Sequence, residues 1–297
     1  VYKRQEDKFT FMTWDSAKAI REKVTAGTKV LIIGAGLIGL KCAEALHHLN
    51  ADITVVDLAD RILPSILDVR AGEIMQKHIE DKGTKFILGT SVEQFSKNSA
   101  KLTNGETVDF DILVIAVGVR PNTELVSDAG GKVEKGIITD LHQQTTIDNV
   151  YAAGDCTVSH DCSSNTDRIL ALLPNAFMQG EVAGKNMAGE ETLYLNAIPM
   201  NAIGFYGLHI ITAGSYDGDE DITEDADKEI YKKLVFKDGL LKGFILMGDV
   251  ARAGIYTSMI KEQIPLTEVD LDLLRDKPQM MMFGKARREE KLAGKKH

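Results

Sequence analysis

The hydrophobic pattern near the start of the chain predicts one βαβ unit. An apolar run from Val30 to Ile33 is typical of a buried strand, and a second run from Ile53 to Val56 has the same character. Between them lie a glycine turn and a stretch with apolar residues at helical spacing. The predicted inward positions of this helix are Ile38, Cys42, Ala45 and Leu49.

The pattern that follows extends this unit into a doubly wound sheet with one meander. It predicts a helix over 69–81, a strand in "KFILG", a hairpin turning at Asn104-Gly105 and an apolar strand over 112–117. Upstream, an extended stretch leads to a helix that Thr13 or Asp15 can cap. Downstream, we predict a short buried strand over 150–153 and a helix over about 175–188.

From about residue 195 the hydrophobic pattern predicts strands followed by a helix in "VARAGIYTSMIKEQ". This section predicts a separate α+β domain, in which an exposed strand edge would favour pairing with a second copy. The tail holds an apolar cluster, Met280 to Phe283, among basic residues. We expect it to have an interface role or a packing role, in preference to binding a membrane.

Composition excludes several classes of function. The 297 residues carry a formal net charge of −9, which argues against a nucleic-acid partner. No apolar run reaches the ~18 residues of a spanning helix, and no secretory leader is visible, so we expect a cytoplasmic protein. Three cysteines without metal-ligand spacing predict no disulfide framework and no metal site.

The glycine turn carries the first candidate chemistry. Gly34, Gly36 and Gly39 form a G-x-G-x-x-G motif between strand and helix, and Asp57 closes the second strand. A dinucleotide pyrophosphate would sit at the helix N-terminus, beside Leu37 and Ile38, while Asp57 accepts from the ribose hydroxyls. This arrangement favours NADH, and NADPH stays open because Arg61 follows the strand.

Three segments in order, "GAGLIGLKCAEAL", "AVGVRPNTEL" and "VYAAGDC", resemble the FAD-dependent pyridine nucleotide-disulfide oxidoreductase superfamily. Within it, the resemblance is to the branch of NADH oxidases, NADH:rubredoxin reductases and the flavin part of nitrite reductase large subunits. It implies a Rossmann-like NAD-binding domain with part of an FAD-binding domain, followed by a C-terminal α+β dimerisation-type domain. This α/β architecture covers nearly the whole chain.

The resemblance also implies cofactor contacts. Gly118 would lie against the NADH, and Asp155, after Gly154, would hydrogen-bond the ribitol chain of FAD. The helix starting near Asn175 and Ala176 would direct its amides to the flavin ring. No residue is assigned as an acid, base or nucleophile.

Two departures from the family pattern affect these expectations. Only about thirty residues precede the NADH motif, and the chain starts with Val1, so we predict an N-terminally truncated flavoprotein whose retention of FAD is doubtful. Lys41 stands where many relatives carry a glutamate that organises the nicotinamide neighbourhood, which indicates either an exposed helix residue or a changed mechanism.

The predicted domains are a linker and helix of the FAD region over 1–26, the NAD-binding domain over 27–120, the C-terminal part of the FAD-binding domain over 121–194, and the interface domain over 195–297. Cys42 is expected in the core, and a dithiol of Cys156 and Cys162 is disfavoured because the loop "TVSHD" separates them. His160 in that loop is expected to be solvated, with an approach to the flavin as the less favoured alternative.

The predicted function is hydride transfer from NADH to FAD and on to an unidentified acceptor, either a small molecule or a small redox protein. The protein would act as a homodimer, without nucleic acid and without membrane contact. One alternative is a truncated NADH-binding and dimerisation module with no catalysis of its own. A flavin-free dehydrogenase is less favoured, because "VYAAGDC" would then have no purpose.

Overall fold

The computed structural model describes residues 8–293 and divides the chain into two compact units. The first holds the described residues up to Val119 together with Gly204–His209, and the second holds Arg120–Ile203 and the described residues from Ile210 onward. This is the mixed α/β fold that the sequence predicts, with a parallel sheet in the first unit and an antiparallel sheet near the C-terminus.

Within its described residues up to Val119, the first unit contains two sheets and three helices. The strands are β1 (Lys8–Thr10), β2 (Lys29–Ile33), β3 (Asp52–Val56), β4 (Lys85–Ile87), β5 (Val92–Phe95), β6 (Ser99–Leu102), β7 (Thr107–Asp109) and β8 (Ile112–Ile115). The helices are α1 (Trp14–Lys23), α2 (Leu37–His47) and α3 (Val69–Glu80). Thr13 caps α1 by accepting a hydrogen bond from the Ser16 N–H at 3.1 Å, as predicted.

A five-stranded parallel sheet in the order β1-β8-β2-β3-β4 forms the centre of this unit. Leu31 and Ile32 on β2 are fully buried, which explains the continuous apolar run, since strands of a parallel sheet are covered on both faces. Strands β5, β6 and β7 form the predicted meander, and Gly105 takes a φ of +92° at its turn. All parallel strands end at one edge, and this edge carries the glycine motif.

The inward face of α2 differs from the prediction. Cys42 is buried as expected, whereas Ile38 and Ala45 are exposed and Leu49 lies beyond the end of the helix. The buried residues are Gly39, Leu40, Cys42, Ala43 and Leu46. The helix approaches the glycine turn closely at Gly39, and Ile38 lies outside the buried stripe.

The second unit contains the remaining elements. Its helices are α4 (Glu124–Ser127), α5 (Leu173–Met187), α6 (Ala253–Lys261), α7 (Leu271–Asp276) and α8 (Lys285–Ala293). Its strands are β9 (Ile137–Ile138), β10 (Thr157–Asp161), β11 (Thr166–Ile169), β12 (Met200–Phe205), β13 (Leu208–Gly214), β14 (Asp219–Asp225), β15 (Ile230–Lys237) and β16 (Leu240–Met247). The ends of β12 and β13 that meet at their turn belong to the first unit.

Strand β10 corrects two sequence predictions. The segment predicted as the loop "TVSHD" is this strand, which pairs with β9 and β11. The predicted strand over 150–153 is wrong, because this segment makes only an isolated bridge from Tyr151 to Gln144. Polar residues fill the buried side of β10: Asp161 is fully buried and accepts from Ser163, Ser164 and Arg168. Such a strand has no apolar signature.

The C-terminal sheet has the order β12-β13-β16-β15-β14 and packs against α6. Phe244 on β16 contacts Tyr256 on α6 with ring centroids 5.4 Å apart. Met282 and Phe283 of the tail are buried in the same core, in agreement with a packing role for these two residues. Among residues 8–293, no helix combines the length and apolar character needed to cross a bilayer.

Candidate nucleotide-binding site

The glycine turn between β2 and α2 has the geometry that its motif predicts. Gly34 has a φ of +114°, and a Cβ there would lie 2.3 Å from the Ala116 carbonyl oxygen. A Cβ at Gly39 would meet the Gly34 carbonyl oxygen at 1.9 Å. A Cβ at Gly36 would meet nothing within 4 Å, so the space beside this residue is open. Gly34 and Gly39 are therefore required by the fold, whereas Gly36 borders open space.

The N-terminus of α2 offers free hydrogen-bond donors next to this space. Gly36 is the N-cap and supplies no side-chain cap, and Leu40 N–H makes the first bond of the helix, to Gly36 O at 3.0 Å. The N–H groups of Leu37, Ile38 and Gly39 therefore have no partner within the helix. Together with the helix dipole, these donors favour an anion such as a pyrophosphate.

Asp57 lies where the ribose of a dinucleotide would be expected, at the end of β3. Its Oδ2 accepts from Ala35 N–H at 2.6 Å and its Oδ1 from Ala59 N–H at 2.7 Å. Each carboxylate oxygen can accept a further bond, so the ribose role is compatible with these contacts. Asp57 also holds the glycine turn and the loop after β3 in place, a second role that the sequence did not reveal.

Backbone contacts join the two loops of this site. Gly34 N–H donates to Val56 O at 2.8 Å, and Leu63 N–H donates to Ala35 O at 3.0 Å. Gly118, with a φ of +105°, follows β8 and has open space at its Cβ position. Because β8 runs parallel to β2, Gly118 lies at the same sheet edge as the glycine turn.

Four apolar side chains near this edge are exposed. They follow β3 and β8 or begin α2: Ile38, Leu58, Val117 and Val119. Apolar groups grouped around free amide donors are typical of a site for a ligand with both apolar and anionic parts.

The Arg61 guanidinium is partly engaged by a neighbouring carboxylate. Its Nη1 lies 3.3 Å from Asp60 Oδ1, and its buried Nε has no hydrogen-bond partner. The pairing with a neighbouring carboxylate matches the reading of Arg61 as an ordinary paired cation, although one donor is left unsatisfied.

Lys41 is partly exposed and makes several contacts within the first unit. Its Nζ donates to Glu44 Oε2 at 2.6 Å and to the Gly204 carbonyl oxygen, and it lies 5.1 Å from the centre of the Phe205 ring. The partners at 204 and 205 are far away in sequence, so no local pattern could have shown them. Lys41 has a structural role in this unit.

The second group of predicted site residues lies in the second unit. Gly154, with a φ of +87°, abuts the start of α5, because a Cβ there would lie 3.6 Å from Ala176 Cβ. Asp155 is exposed. The structure thus brings Gly154 and Ala176 together and leaves the Asp155 carboxylate accessible.

Some donors at this second group are already in use. Gly154 N–H donates to Gln179 Oε1 at 2.6 Å, and the buried Asn175 side chain is bonded to Ile198 O and to Tyr194 Oη. Helix α5 begins at Leu173, two residues before the predicted start. Since Pro174 lacks an N–H, the backbone amides of Leu173 and Asn175 are the donors left for a ligand in the first turn.

The cysteines and His160 show no reactive arrangement. Burial raises the pKa of the Cys42 thiol from 9.0 to about 12, as suits a core residue. Strand β10 separates Cys156 from Cys162 by roughly 20 Å, so the two thiols do not form a pair. His160 Nδ1 lies 2.9 Å from Asp167 Oδ1 on the neighbouring strand. Within residues 8–293, no cluster of side chains suits a metal ion.

A cavity of about 700 Å³ lies beside β9 and β10. Gln143, which lines it, is buried and its Oε1 has no hydrogen-bond partner. No motif in the sequence marks this residue.

Comparison with known proteins identifies the family. The family model described as pyridine nucleotide-disulphide oxidoreductase matches residues 3–180, which is more than half of the chain. The chain belongs to the pyridine nucleotide-disulphide oxidoreductase family. A second model, described as the rubredoxin NAD+ reductase C-terminal domain, matches residues 199–264. The recognition from three sequence motifs is thereby confirmed.

Individual members of this oxidoreductase family support the assignment. The epsilon subunit of an NADH-dependent phenylglyoxylate dehydrogenase from Aromatoleum evansii is 32% identical over 86% of this chain and 63% of its own length. A rubredoxin-NAD(+) reductase from Acinetobacter baylyi is 30% identical over 86% of this chain and 64% of its own length. The chain thus spans less than two thirds of these relatives.

Solved structures of the oxidoreductase family share the fold. An NAD-dependent persulfide reductase from A. fulgidus superimposes with a TM-score of 0.79 at 26% identity, covering 89% of this chain and 54% of that one. A water-forming NADH oxidase from Lactobacillus brevis, bound to NADH, gives 0.81 at 23% identity, covering 89% and 65%. The latter similarity shows the fold alone.

Proposed function

We propose that the first unit binds NADH with its pyrophosphate at the N-terminus of α2. The observation that carries this proposal is the open space at Gly36 beside the free amides of Leu37, Ile38 and Gly39. The residues fit the ligand, because the donors suit a diphosphate and the exposed Val117 and Val119 suit an apolar ring face.

We propose NADH as the preferred coenzyme over NADPH. The Asp57 carboxylate would repel a 2′-phosphate while it accepts from ribose hydroxyls. Arg61, the cation that follows β3, is paired with Asp60. Both observations favour a ribose without a phosphate.

For the second unit we propose a partial flavin site. The Asp155 carboxylate and the free amides at the start of α5 would bind FAD, with Gly154 allowing close approach of the backbone. When both cofactors are bound, nicotinamide and flavin supply the hydride transfer. In this proposal the residues of each unit would bind and orient the cofactor of that unit.

The electron acceptor is proposed as a small molecule or a small redox protein. The rubredoxin-NAD(+) reductase among the relatives is named for a small redox protein, and the persulfide reductase for a small sulfur compound. We propose a homodimer, which the resemblance to the family implies, and a cytoplasmic location.

The second candidate is an NADH-binding module without catalysis of its own. It is favoured by the engagement of Gly154 N–H with Gln179 and of the Asn175 side chain with Tyr194, which reduces the polar groups free for a flavin.

Absorption spectroscopy separates the two candidates. The purified chain is incubated with FAD, desalted, and scanned before and after anaerobic addition of NADH. Asp155→Ala serves as the test variant, and Asp148→Ala, at another exposed carboxylate seven positions earlier, as the matched control.

A retained flavin band that bleaches with NADH, and is lost in Asp155→Ala alone, supports the oxidoreductase. Loss of all FAD from the wild type, with NADH still bound, supports the module. A wild-type chain that does not bind NADH at millimolar concentration refutes the nucleotide site itself.

A further inference from the structure

The turn that joins β12 to β13 has an unfavourable residue at its tip. Tyr206 and Gly207 both have positive φ angles, +51° and +91°, as in a two-residue type I′ turn. The first position of such a turn favours Asn, Asp or Gly, because a bulky side chain at positive φ is strained.

A second turn in the same chain shows the ordinary solution. Asp238 and Gly239 join β15 to β16 with φ angles of +54° and +71°, and both residues are exposed. The chain therefore uses Asp where a tip meets solvent and Tyr at 206. A strained backbone persists where the surroundings hold it in place, so the contacts of Tyr206 are informative.

Tyr206 contacts helix α2 at two points. Its N–H donates to Glu44 Oε1 at 2.6 Å, and its ring meets the His47 ring edge-on with centroids 5.2 Å apart. The other oxygen of Glu44 accepts from Lys41, which also bonds the Gly204 carbonyl. Lys41 thereby orients the carboxylate that binds the Tyr206 amide.

Tyr206 also contacts helix α3 and the residue that precedes β4. His78 Nε2 on α3 lies 3.2 Å from the Tyr206 carbonyl oxygen, so this nitrogen is the donor. The Tyr206 hydroxyl lies 3.1 Å from Thr84 Oγ1, which is buried. The backbone and the side chain of one residue therefore bridge α2 and α3.

We infer that Tyr206, with Glu44, His47, His78 and Thr84, forms a clip that fixes α2 relative to α3. The inference rests on the proposed NADH site, because the N-terminus of α2 carries the proposed pyrophosphate donors. The ribose would bind at Asp57, directly after β3, which ends at Val56. A shift of α2 away from its contacts with α3 would move these donors relative to Asp57. Tyr206 is thus a positioning residue for the coenzyme.

The test replaces Tyr206 with the residue that its turn favours. Tyr206→Asn relieves the turn strain and removes the ring and the hydroxyl. Asp238→Asn is the matched control in the exposed turn, and Tyr206→Phe, which loses only the bond to Thr84, is the milder variant in case the first does not fold. Each chain is measured by hydrogen exchange without ligand and by NADH titration.

For Tyr206→Asn we expect faster amide exchange in the second half of α2 and around Thr84, and an NADH Kd raised by at least about fivefold. Tyr206→Phe should show a smaller increase, and Asp238→Asn none. Asn is favoured at this position of the turn. If Tyr206 served only the turn itself, Tyr206→Asn would therefore leave the NADH Kd unchanged or lower it.

Unchanged exchange in Tyr206→Asn overturns the clip. Faster exchange with a wild-type Kd overturns the positioning role and leaves the NADH site intact. A wild-type chain that binds no NADH refutes the proposed function, and the positioning role with it.

Discussion

Alanine at two glycines of the motif should have different effects: Gly36→Ala should weaken NADH binding, whereas Gly34→Ala should lower the free energy of unfolding. Gly36 has φ −84° and ψ −174°, an extended conformation open to alanine, and its Cβ would meet nothing within 4 Å. Alanine loses less chain entropy on folding but is a poorer N-cap than glycine, and each effect is worth about 0.5 to 1 kcal/mol. Gly36→Ala should therefore leave the free energy of unfolding within about 1 kcal/mol of the wild type.

Gly34→Ala should destabilise the fold. Its φ of +114° is strained for alanine by about 1 to 3 kcal/mol, and a Cβ 2.3 Å from Ala116 O forces a movement of the backbone. Crowding of a packed site adds about 1 to 3 kcal/mol. The expected loss in the free energy of unfolding is therefore at least about 2 kcal/mol.

Ligand binding should separate Gly36 from the other positions. A methyl group at Gly36 would occupy the proposed pyrophosphate space, so the NADH Kd should rise at least about tenfold, or about 1.4 kcal/mol. Gly72→Ala, on α3 where a Cβ would lie 3.6 Å from Ile62 O, is the control that should leave the Kd unchanged.

The assays are urea unfolding followed by circular dichroism and NADH titration by calorimetry. A Gly36→Ala chain that binds NADH within twofold of the wild type would place the pyrophosphate elsewhere. A Gly34→Ala chain as stable as the wild type would contradict the steric argument.

Three further outcomes follow from the same contacts. Asp57→Ala should lower the free energy of unfolding by about 1 to 3 kcal/mol, because the Ala35 and Ala59 amides lose their acceptors. It should also lower the ratio of the NADPH Kd to the NADH Kd, with the two Kd values measured by titration. Gln179→Leu should cost about 1 to 3 kcal/mol in urea unfolding, because Gly154 N–H and Ser159 lose a buried partner; wild-type stability would contradict this. The Cys42 pKa, raised from 9.0 to about 12, means that the unfolded chain loses this proton first, so stability present below pH 9 should fall as pH rises towards 12. Urea unfolding of Cys42→Ala should show a shallower fall, and an identical slope would refute it.

The NADH half of the candidate site was open to prediction because its signals are local. The strand, the glycine turn, α2 and the second strand occupy one continuous stretch, and Asp57 is marked by its spacing from Gly34. The orientation of α2 was not predictable in the same way. Its buried stripe includes Gly39, which approaches the glycine turn closely, whereas Ile38 on the neighbouring position is exposed.

The second unit was harder to predict because its order rests on polar contacts between distant residues. Strand β10 buries Thr157, Ser159 and Asp161, and Gln179 on α5 satisfies the first two. Because its buried residues are polar, such a strand cannot be predicted from the pattern of hydrophobic positions. The apolar residues of "VYAAGDC" led to a strand being predicted where the structure has none. An apolar run forms a strand only where a neighbouring strand completes its hydrogen bonds.

The outer strand of the C-terminal sheet restricts how copies of this chain can associate. Strand β14 carries carboxylates at Asp219, Glu220, Asp221, Glu224 and Asp225. Two copies that paired along this strand would place like charges opposite one another, which opposes such pairing. These charges oppose open-ended growth of the sheet along this edge into aggregates. We expect a dimer of this domain to form through another of its surfaces.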